Sequence, residues 1–392
     1  MAKDEVVVNR AAAESARRGH PWIWREAIAR GAPPLMAGAI VQVLDATGGA
    51  VGRGVYDPES PIAIRMWTGE RTPLDARLVA SRLERAFAVR AWLFADGRTT
   101  AYRLLNGEGD RTPGFVVDRY GKVAMLRLDG AGAEALAAEV VPTLWAALQA
   151  LGVESLVRRD PSKDRSAART STLFGPPPPD TMEVMEDGVP FVVDLLKGQK
   201  TGAFLDQREN RRRVGVLSAG RARVLNLFSY AGGFSQRAAL AGAKVTSVDI
   251  AAQAHATAQT SFKLAGVDPR AHEFVTADAF AYLGEAKKRG ATWDLVISDP
   301  PSFAPSEKAV PRALAAYRQL HRACADVLAP GGVLCAASCS SHVDAEGFAS
   351  TLDDVSLGRG DLRLVALHGP PGDHPTLAAF PQGRYLKFAV LA

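Results

Sequence analysis

The sequence predicts an α/β protein. Its C-terminal half forms a mostly parallel, doubly wound sheet, preceded by a β-rich segment and a smaller α/β segment. Three observations carry this. From Val224 onward, short apolar runs alternate with helical patterns, the rhythm of βαβ units. Residues 224–234 pass from a short buried strand through a tight turn, Ser229-Tyr230-Ala231-Gly232-Gly233, into a helix starting at Phe234. Strand, glycine turn and helix is how such sheets present backbone N–H groups to a ligand. Residues 1–72 hold short strands separated by glycine turns, the pattern of a small barrel.

A chain of 392 residues is expected to form two or three domains. Its 47% hydrophobic and 23% charged residues suit a water-soluble globular protein. The formal charge of +5 permits a nucleic-acid partner, although scattered surface arginines give the same balance. The three cysteines, Cys324, Cys335 and Cys339, lack metal-ligand spacing, so no zinc site is expected. An odd cysteine count without a signal peptide points to a reducing cytosol, hence a cytoplasmic location. No apolar run reaches the length of a membrane span, so no membrane partner is expected.

In the first segment, residues 39–44 and 50–56 read as paired strands around the turn at 45–49, and residues 61–67 as a third. Trp22 and Trp24 stand beside Arg17, Arg18 and Arg25. Basic residues next to aromatics suit RNA, through phosphate contact and base stacking. Plugging the barrel is the preferred role for the two tryptophans themselves.

Residues 73–182 read as a middle α/β domain. A helix covers 74–94, residues 114–121 and 123–128 form a hairpin, and an alanine-rich helix covers 131–151. The four prolines 176–179 read as a linker or exposed loop. Arg158, Arg159, Lys163, Arg165 and Arg169 could face a phosphate backbone, or form a solvated loop.

The third domain spans 183–392. Its strands are expected near 224–228, 244–248, 273–276, 294–298, 332–338 and 385–391. In such a sheet the ligand sits beyond the carboxyl ends of the strands. Asp249 ends the second strand, about 20 residues after the start of the turn, where it would accept from a ribose hydroxyl pair. Asp278 could accept from an adenine amino group, cap the helix that follows, or both. Asp299-Pro300-Pro301-Ser302-Phe303 is a stiff acidic tip. Asp299 could take the N–H edge of a flipped-out base and Phe303 its face. Cys335 and Cys324 read as core; Cys339 sits at a strand's carboxyl end, where a thiolate could reach a substrate. His342 is close enough in sequence to be weighed as a base.

Taken together, Arg18-Gly19-His20-Pro21-Trp22-Ile23, Pro113-Gly114-Phe115-Val116-Val117-Asp118-Arg119-Tyr120-Gly121 and residues 200–208 (KTGAFLDQR) carry a resemblance. It continues through residues 226–233 and 299–303, Ser338-Cys339-Ser340, Asp373-His374-Pro375 and residues 383–387 (GRYLK). The chain resembles the bacterial large-subunit ribosomal RNA 5-methylcytosine methyltransferases that carry an N-terminal PUA domain. The resemblance implies a PUA barrel, a small middle domain and a Rossmann-like domain using S-adenosylmethionine. It implies 23S rRNA as partner; a homodimer is left open.

It further implies Cys339 as the nucleophile and Asp299 as the second catalytic residue. The implied cofactor-binding set is Gln207, Asn226, Phe228, Ser229, Tyr230, Gly232, Gly233, Asp249, Ile250, Asp278, Ala279 and Asp299. Pro300, Pro301 and Phe303 would meet the substrate. Gln207 and Arg208 would close over the site, with a salt bridge as an equal alternative for Arg208. Cysteine addition to C6 of cytosine would move electron density to C5, which could then attack the sulfonium methyl. Some RNA cytosine methyltransferases carry a second cysteine after the equivalent proline; here Pro301-Ser302 holds that place, leaving the base that removes the C5 proton unnamed. Two alternatives stand. One is methylation of a guanine or adenine amino group or guanine N7, which needs no thiol. The other is a non-catalytic RNA-binding protein of ribosome assembly.

Overall fold

The computed structural model describes residues 4–29, 35–70, 72–160, 170–198 and 200–392. Lys163, Arg165 and Arg169, and Gln199 beside Lys200, lie outside these residues. The chain divides into two compact units. One comprises residues 1–182, 194–205 and 372–383; the other comprises 183–193, 206–371 and 384–392. Residues 194–205 and 372–383, inside the stretch expected as a single third domain, therefore group with the first unit.

The first unit opens with β1 (Glu5–Val7), α1 (Arg10–Arg17), β2 (Trp22–Trp24), β3 (Ile40–Leu44), β4 (Ala50–Tyr56) and β5 (Ile62–Gly69). Their sheet order is β1-β3-β4-β5-β2. Just beyond its two edge strands, Val8 and Ile28 form an antiparallel bridge. Asn9 N–H donates to Ala27 O at 2.8 Å and Ala29 N–H to Val7 O at 2.9 Å, so both edges find partners and the sheet closes. β1, β2 and α1 are absent from the sequence reading because each is too short to show a period. Ile23 faces the barrel core. Strand alternation turns Trp22 and Trp24 the other way, which corrects the expectation that they plug the barrel. Trp22 instead donates from Nε1 to Glu108 at 2.8 Å and packs on Phe380 with ring centroids 4.6 Å apart.

Then come α2 (Ala76–Leu93), β6 (Ala101–Asn106), β7 (Phe115–Tyr120), β8 (Val123–Leu128), α3 (Ala131–Ala150), β9 (Ser155–Arg159) and β10 (Thr170–Phe174). The sheet order is β10-β9-β8-β7-β6. Contrary to expectation, α3 is long and apolar enough to cross a membrane by length and composition. Its Leu136, Val140, Leu144 and Leu148 are buried in the core of this sheet. Several motif residues are tied to one another here. Thr201 donates to Asp118, and the Tyr120 hydroxyl accepts from Ala203 N–H at 3.1 Å. Buried Arg90 donates to both Asp110 oxygens at 2.8 Å and to Asp373 O at 2.7 Å. Asn106 Nδ2 donates to Pro375 O at 2.9 Å.

In the second unit a hairpin, β11 (Thr181–Glu186) and β12 (Val189–Asp194), of which residues 183–193 belong here, leads to α4 (Arg208–Ser218). The sheet strands are β13 (Arg223–Leu227), β14 (Lys244–Asp249), β15 (Glu273–Thr276), β16 (Trp293–Ser298), β17 (Leu328–Ser338), β18 (Leu364–His368) and β19 (Lys387–Leu391). The helices are α5 (Gly233–Leu240), α6 (Ala252–Leu264), α7 (Ala279–Lys288), α8 (Val310–Asp326), α9 (Ala345–Ser350) and α10 (Asp353–Gly358). Strand order is β15-β14-β13-β16-β17-β19-β18. β13 to β17 pair in parallel; β19 runs antiparallel between β17 and β18. Leu225, Val296 and Leu334 pack against α7 and α8 on one face, and Val224, Leu295 and Cys335 against α4 and α5 on the other. Burial on both faces is why these strands read as unbroken apolar runs.

Candidate active site at the carboxyl ends of the parallel strands

Strand order reverses between β13 and β16, the position where open α/β sheets bind ligands. The ends of β13, β14 and β15 carry the turn at 229–233, Asp249 and Asp278. The ends of β16 and β17 carry Asp299 and Cys339.

The turn is built on left-handed backbone at Phe228 (φ 56°), Tyr230 (φ 45°) and Gly232 (φ 74°). Two non-glycine residues in that region mark strain of the kind that clusters at functional sites. What holds them is a set of hydrogen bonds. Ser229 N–H donates to Val248 O at 3.0 Å and Gly232 N–H to Ser229 O at 2.8 Å. Tyr230 N–H donates to Asp249 Oδ2 at 2.8 Å, and Ala251 N–H to Asp249 Oδ1 at 2.9 Å. Thus Asp249 fixes the turn before it meets any ligand, and each oxygen keeps a lone pair for one. The space at the two glycines is filled by protein. A Cβ on Gly232 would lie 2.7 Å from Ala258 Cβ, and one on Gly233 2.6 Å from Arg211 Cδ.

Two polar atoms at this turn are buried with no hydrogen-bond partner among the described residues, Ser229 Oγ and Asn226 Oδ1. Asn226 is anchored by its other end, donating from Nδ2 to Ser235 Oγ at 2.8 Å. Beside Asp249, Ile250 is 76% exposed, unusual for a large apolar side chain. Asp278 caps α7, accepting from Ala281 N–H at 2.9 Å, and Ala279 is buried at that helix's first turn. Gln207 is buried and accepts from Asn210 Nδ2 at 2.6 Å; Arg208 pairs with Glu209 at 3.1 Å. Phe228 packs half-buried against the core below.

At the other pair of strand ends, register matches Ser298 with Ala336, so Asp299 and Cys339 leave adjacent strands. Pro300 is buried, Pro301 exposed and Phe303 half-buried. Phe303 lies with its centroid 4.8 Å from that of Tyr317, so part of its ring is committed to the core. A hydroxyl network ties the two loops. Tyr317 donates to Ser338 Oγ at 2.9 Å and lies 3.0 Å from Ser340 Oγ, which is itself 3.0 Å from Ser302 Oγ. Burial pushes the Tyr317 phenol up. Cys339 is half-buried, whereas Cys324 and Cys335 are fully buried, and burial pushes both of those thiols up to about 12. Such thiols are inert at neutral pH. His342 is exposed on the turn that follows.

Residues whose part the sequence does not show complete the site. Arg211 crosses behind Gly233 and pairs through Nε with Glu186 at 2.8 Å. Burial alone would raise the Glu186 carboxyl, but Arg211 and Arg237 hold it below its ordinary range. Arg211 is one of three consecutive arginines, Tyr317 sits within α8, and Ser302, Ser338 and Ser340 stand inside motifs with no role of their own legible in the sequence. Only contacts distant in sequence reveal what each does.

Comparison with known proteins agrees with this geometry. The chain matches PUA-like domains over residues 6–69 and S-adenosylmethionine-dependent methyltransferases over residues 133–377. It is 39% identical to a ribosomal RNA large subunit methyltransferase of Deinococcus radiodurans, over 98% of this chain and 96% of that one. It is 34% identical to ribosomal RNA large subunit methyltransferase I of Klebsiella pneumoniae, over 95% of this chain and 94% of that one. A solved chain from Streptococcus mutans, described as a SAM-dependent methyltransferase, shares the fold at a TM-score of 0.87 and 24% identity, over 99% of this chain and all of that one (100%).

Proposed function

Because this chain belongs to the S-adenosylmethionine-dependent methyltransferase family, we propose that it forms 5-methylcytosine in 23S rRNA of the large ribosomal subunit, in the cytoplasm, through a covalent Cys339 adduct. The observation that carries this is the pair of adjacent strand ends bearing Asp299 and Cys339, tied together by the Ser302–Ser340 hydroxyl contact at 3.0 Å. An amino-group methyltransferase needs the acid but has no use for the thiol.

The turn side of the sheet fits the cofactor. Asp249 would hold the ribose hydroxyls and exposed Ile250 would cover adenine. Asp278 has carboxylate capacity left after capping α7. The unpartnered Ser229 Oγ and Asn226 Oδ1 are suited to polar groups at the methionine end. When bound, S-adenosylmethionine supplies an electrophilic methyl group for C5 of the cytosine.

Cys339 attacks C6 as the thiolate, forming the S–C6 bond and pushing the ring's electron density onto C5. Asp299 holds the N3/N4 edge of the base and steadies it as the ring changes charge. Pro300 and Pro301 keep that acid from swinging away. Once the methyl group has passed to C5, its bond to the sulfonium sulfur broken and S-adenosylhomocysteine left behind, a base would take the C5 proton. The released electron pair restores the C5–C6 double bond and expels the Cys339 thiolate.

The test is Cys339→Ala. It should abolish methyl transfer to 23S rRNA, while S-adenosylmethionine binding measured by calorimetry survives. Near-wild-type turnover with methylation of a guanine or adenine, identified by mass mapping of the RNA product, would replace this reading with the amino-group or N7 one. A purified wild-type chain that fails to bind labelled S-adenosylmethionine would favour a non-catalytic assembly role.

A further inference from the structure

Lys387 is a lysine in a place where lysines are rarely found. It is 2% exposed and sits at the start of β19. Its backbone pairs with Ser338, the residue before Cys339. A buried ammonium is tolerated only when its protons are taken. Here Nζ donates to Ser340 O and Val343 O at 2.6 Å and to Tyr385 O at 2.7 Å. Two of those carbonyls belong to the turn that follows Cys339. The charge lies close enough to the thiol for the two to interact electrostatically.

We propose that Lys387 is a positioning residue for Cys339: it clamps the turn carrying the thiol and sets a positive charge behind the thiolate, a role that rests on Cys339 being the nucleophile. Other titratable groups among the described residues share this end of the sheet. Tyr317 faces the thiol from α8, and its phenol stays protonated. Asp299 leaves the neighbouring strand, and exposed His342 and the helix-capping Asp344 lie on the turn itself. A cation beside a cysteine is a recognised means of favouring the thiolate.

Burial lowers the Lys387 ammonium to about 8, with Cys339 and Asp344 opposing the fall. The lysine is therefore charged at neutral pH and loses its charge as the pH rises through about 8. Its help to the thiolate should be largest near pH 7 and fade above pH 9.

The experiment is alkylation of the full-length protein by iodoacetamide across pH, read at the Cys339 peptide by mass spectrometry. In the wild type, Cys339 should ionise below the ordinary thiol value of about 8.5. In Lys387→Met the apparent value should rise by about one unit, slowing alkylation at pH 7 about tenfold, and Lys387→Arg should restore most of the rate. A wild-type value at or above about 8.5, or an unchanged profile in Lys387→Met, overturns the proposal. Should Lys387→Met fail to fold, the wild-type value alone decides. The alkylation profile is independent of methyl transfer. An active Cys339→Ala protein would remove the nucleophile reading while leaving the thiol's dependence on Lys387 measurable.

Discussion

The hydroxyl of Ser302 lies 3.0 Å from that of Ser340, joining the loop that carries the acid to the loop that carries the thiol. Ser340 Oγ also meets the Tyr317 hydroxyl at 3.0 Å, and Tyr317 donates to Ser338 Oγ at 2.9 Å. Cys339 is thus flanked on both sides by residues held by one buried phenol. A chain of neutral hydroxyls of this kind is cheap to fill and costly to break, because the stranded partners cannot reach water.

Tyr317→Phe removes that bridge while the ring keeps its contacts with Phe303 and Phe348. The expected cost is about 1–2 kcal/mol of stability in urea unfolding. Methyl transfer should fall by about tenfold through looser placement of Cys339. S-adenosylmethionine affinity should hold, since the turn and Asp249 stand on other strands. Equal losses in affinity and turnover would show that the phenol supports the whole sheet end rather than the thiol loop.

Asp249 performs two tasks with one carboxylate. It accepts from Tyr230 N–H at 2.8 Å and Ala251 N–H at 2.9 Å, and so holds the backbone at Tyr230 at φ 45°. Asp249→Ala should weaken S-adenosylmethionine binding by about a hundredfold in calorimetry, from loss of the charged acceptor and of the turn it fixes. Asp249→Asn keeps one acceptor oxygen and should fall between. An unchanged affinity in Asp249→Ala would remove Asp249 from the cofactor site.

Much of this arrangement was legible in the sequence because the parallel strands are buried on both faces. The runs ending at Asp249, Asp299 and Cys339 are short, apolar and bounded by polar residues, so their ends could be placed. β18 escaped notice for the opposite reason. It is an edge strand whose Leu364, Val365 and Leu367 are exposed, so its short run, Leu364-Val365-Ala366-Leu367, shows no alternation of apolar and polar faces to mark it as a strand. The glycine turn is legible only in part. A glycine pair signals that something approaches the backbone, but not what. At Gly232 and Gly233 it is Ala258 and Arg211. Tyr317, Arg211 and Lys387 act through partners tens of residues distant, and local spacing carries no trace of such contacts.

His321 gives the protein a pH dependence of known sign. It lies fully buried on α8, with Nδ1 3.2 Å from Thr351 Oγ1 and its ring edge-on to Phe348. Burial lowers the imidazole to about 4, with the Thr351 carbonyl opposing. The unfolded chain takes up this proton near pH 6.5. Between the two values the unfolded state binds more protons, so stability is full above about pH 6.5 and declines as the pH falls toward 4. A shift of that size corresponds to about 3 kcal/mol once the decline is complete, of which about 2 kcal/mol is gone by pH 5. Urea unfolding of the wild type at pH 7.5 and pH 5 should show that loss. His321→Gln, which has no proton to gain, should show a shallower slope. Parallel pH profiles for the two proteins would mean that His321 is solvated in the native state and that other groups set the acid limit.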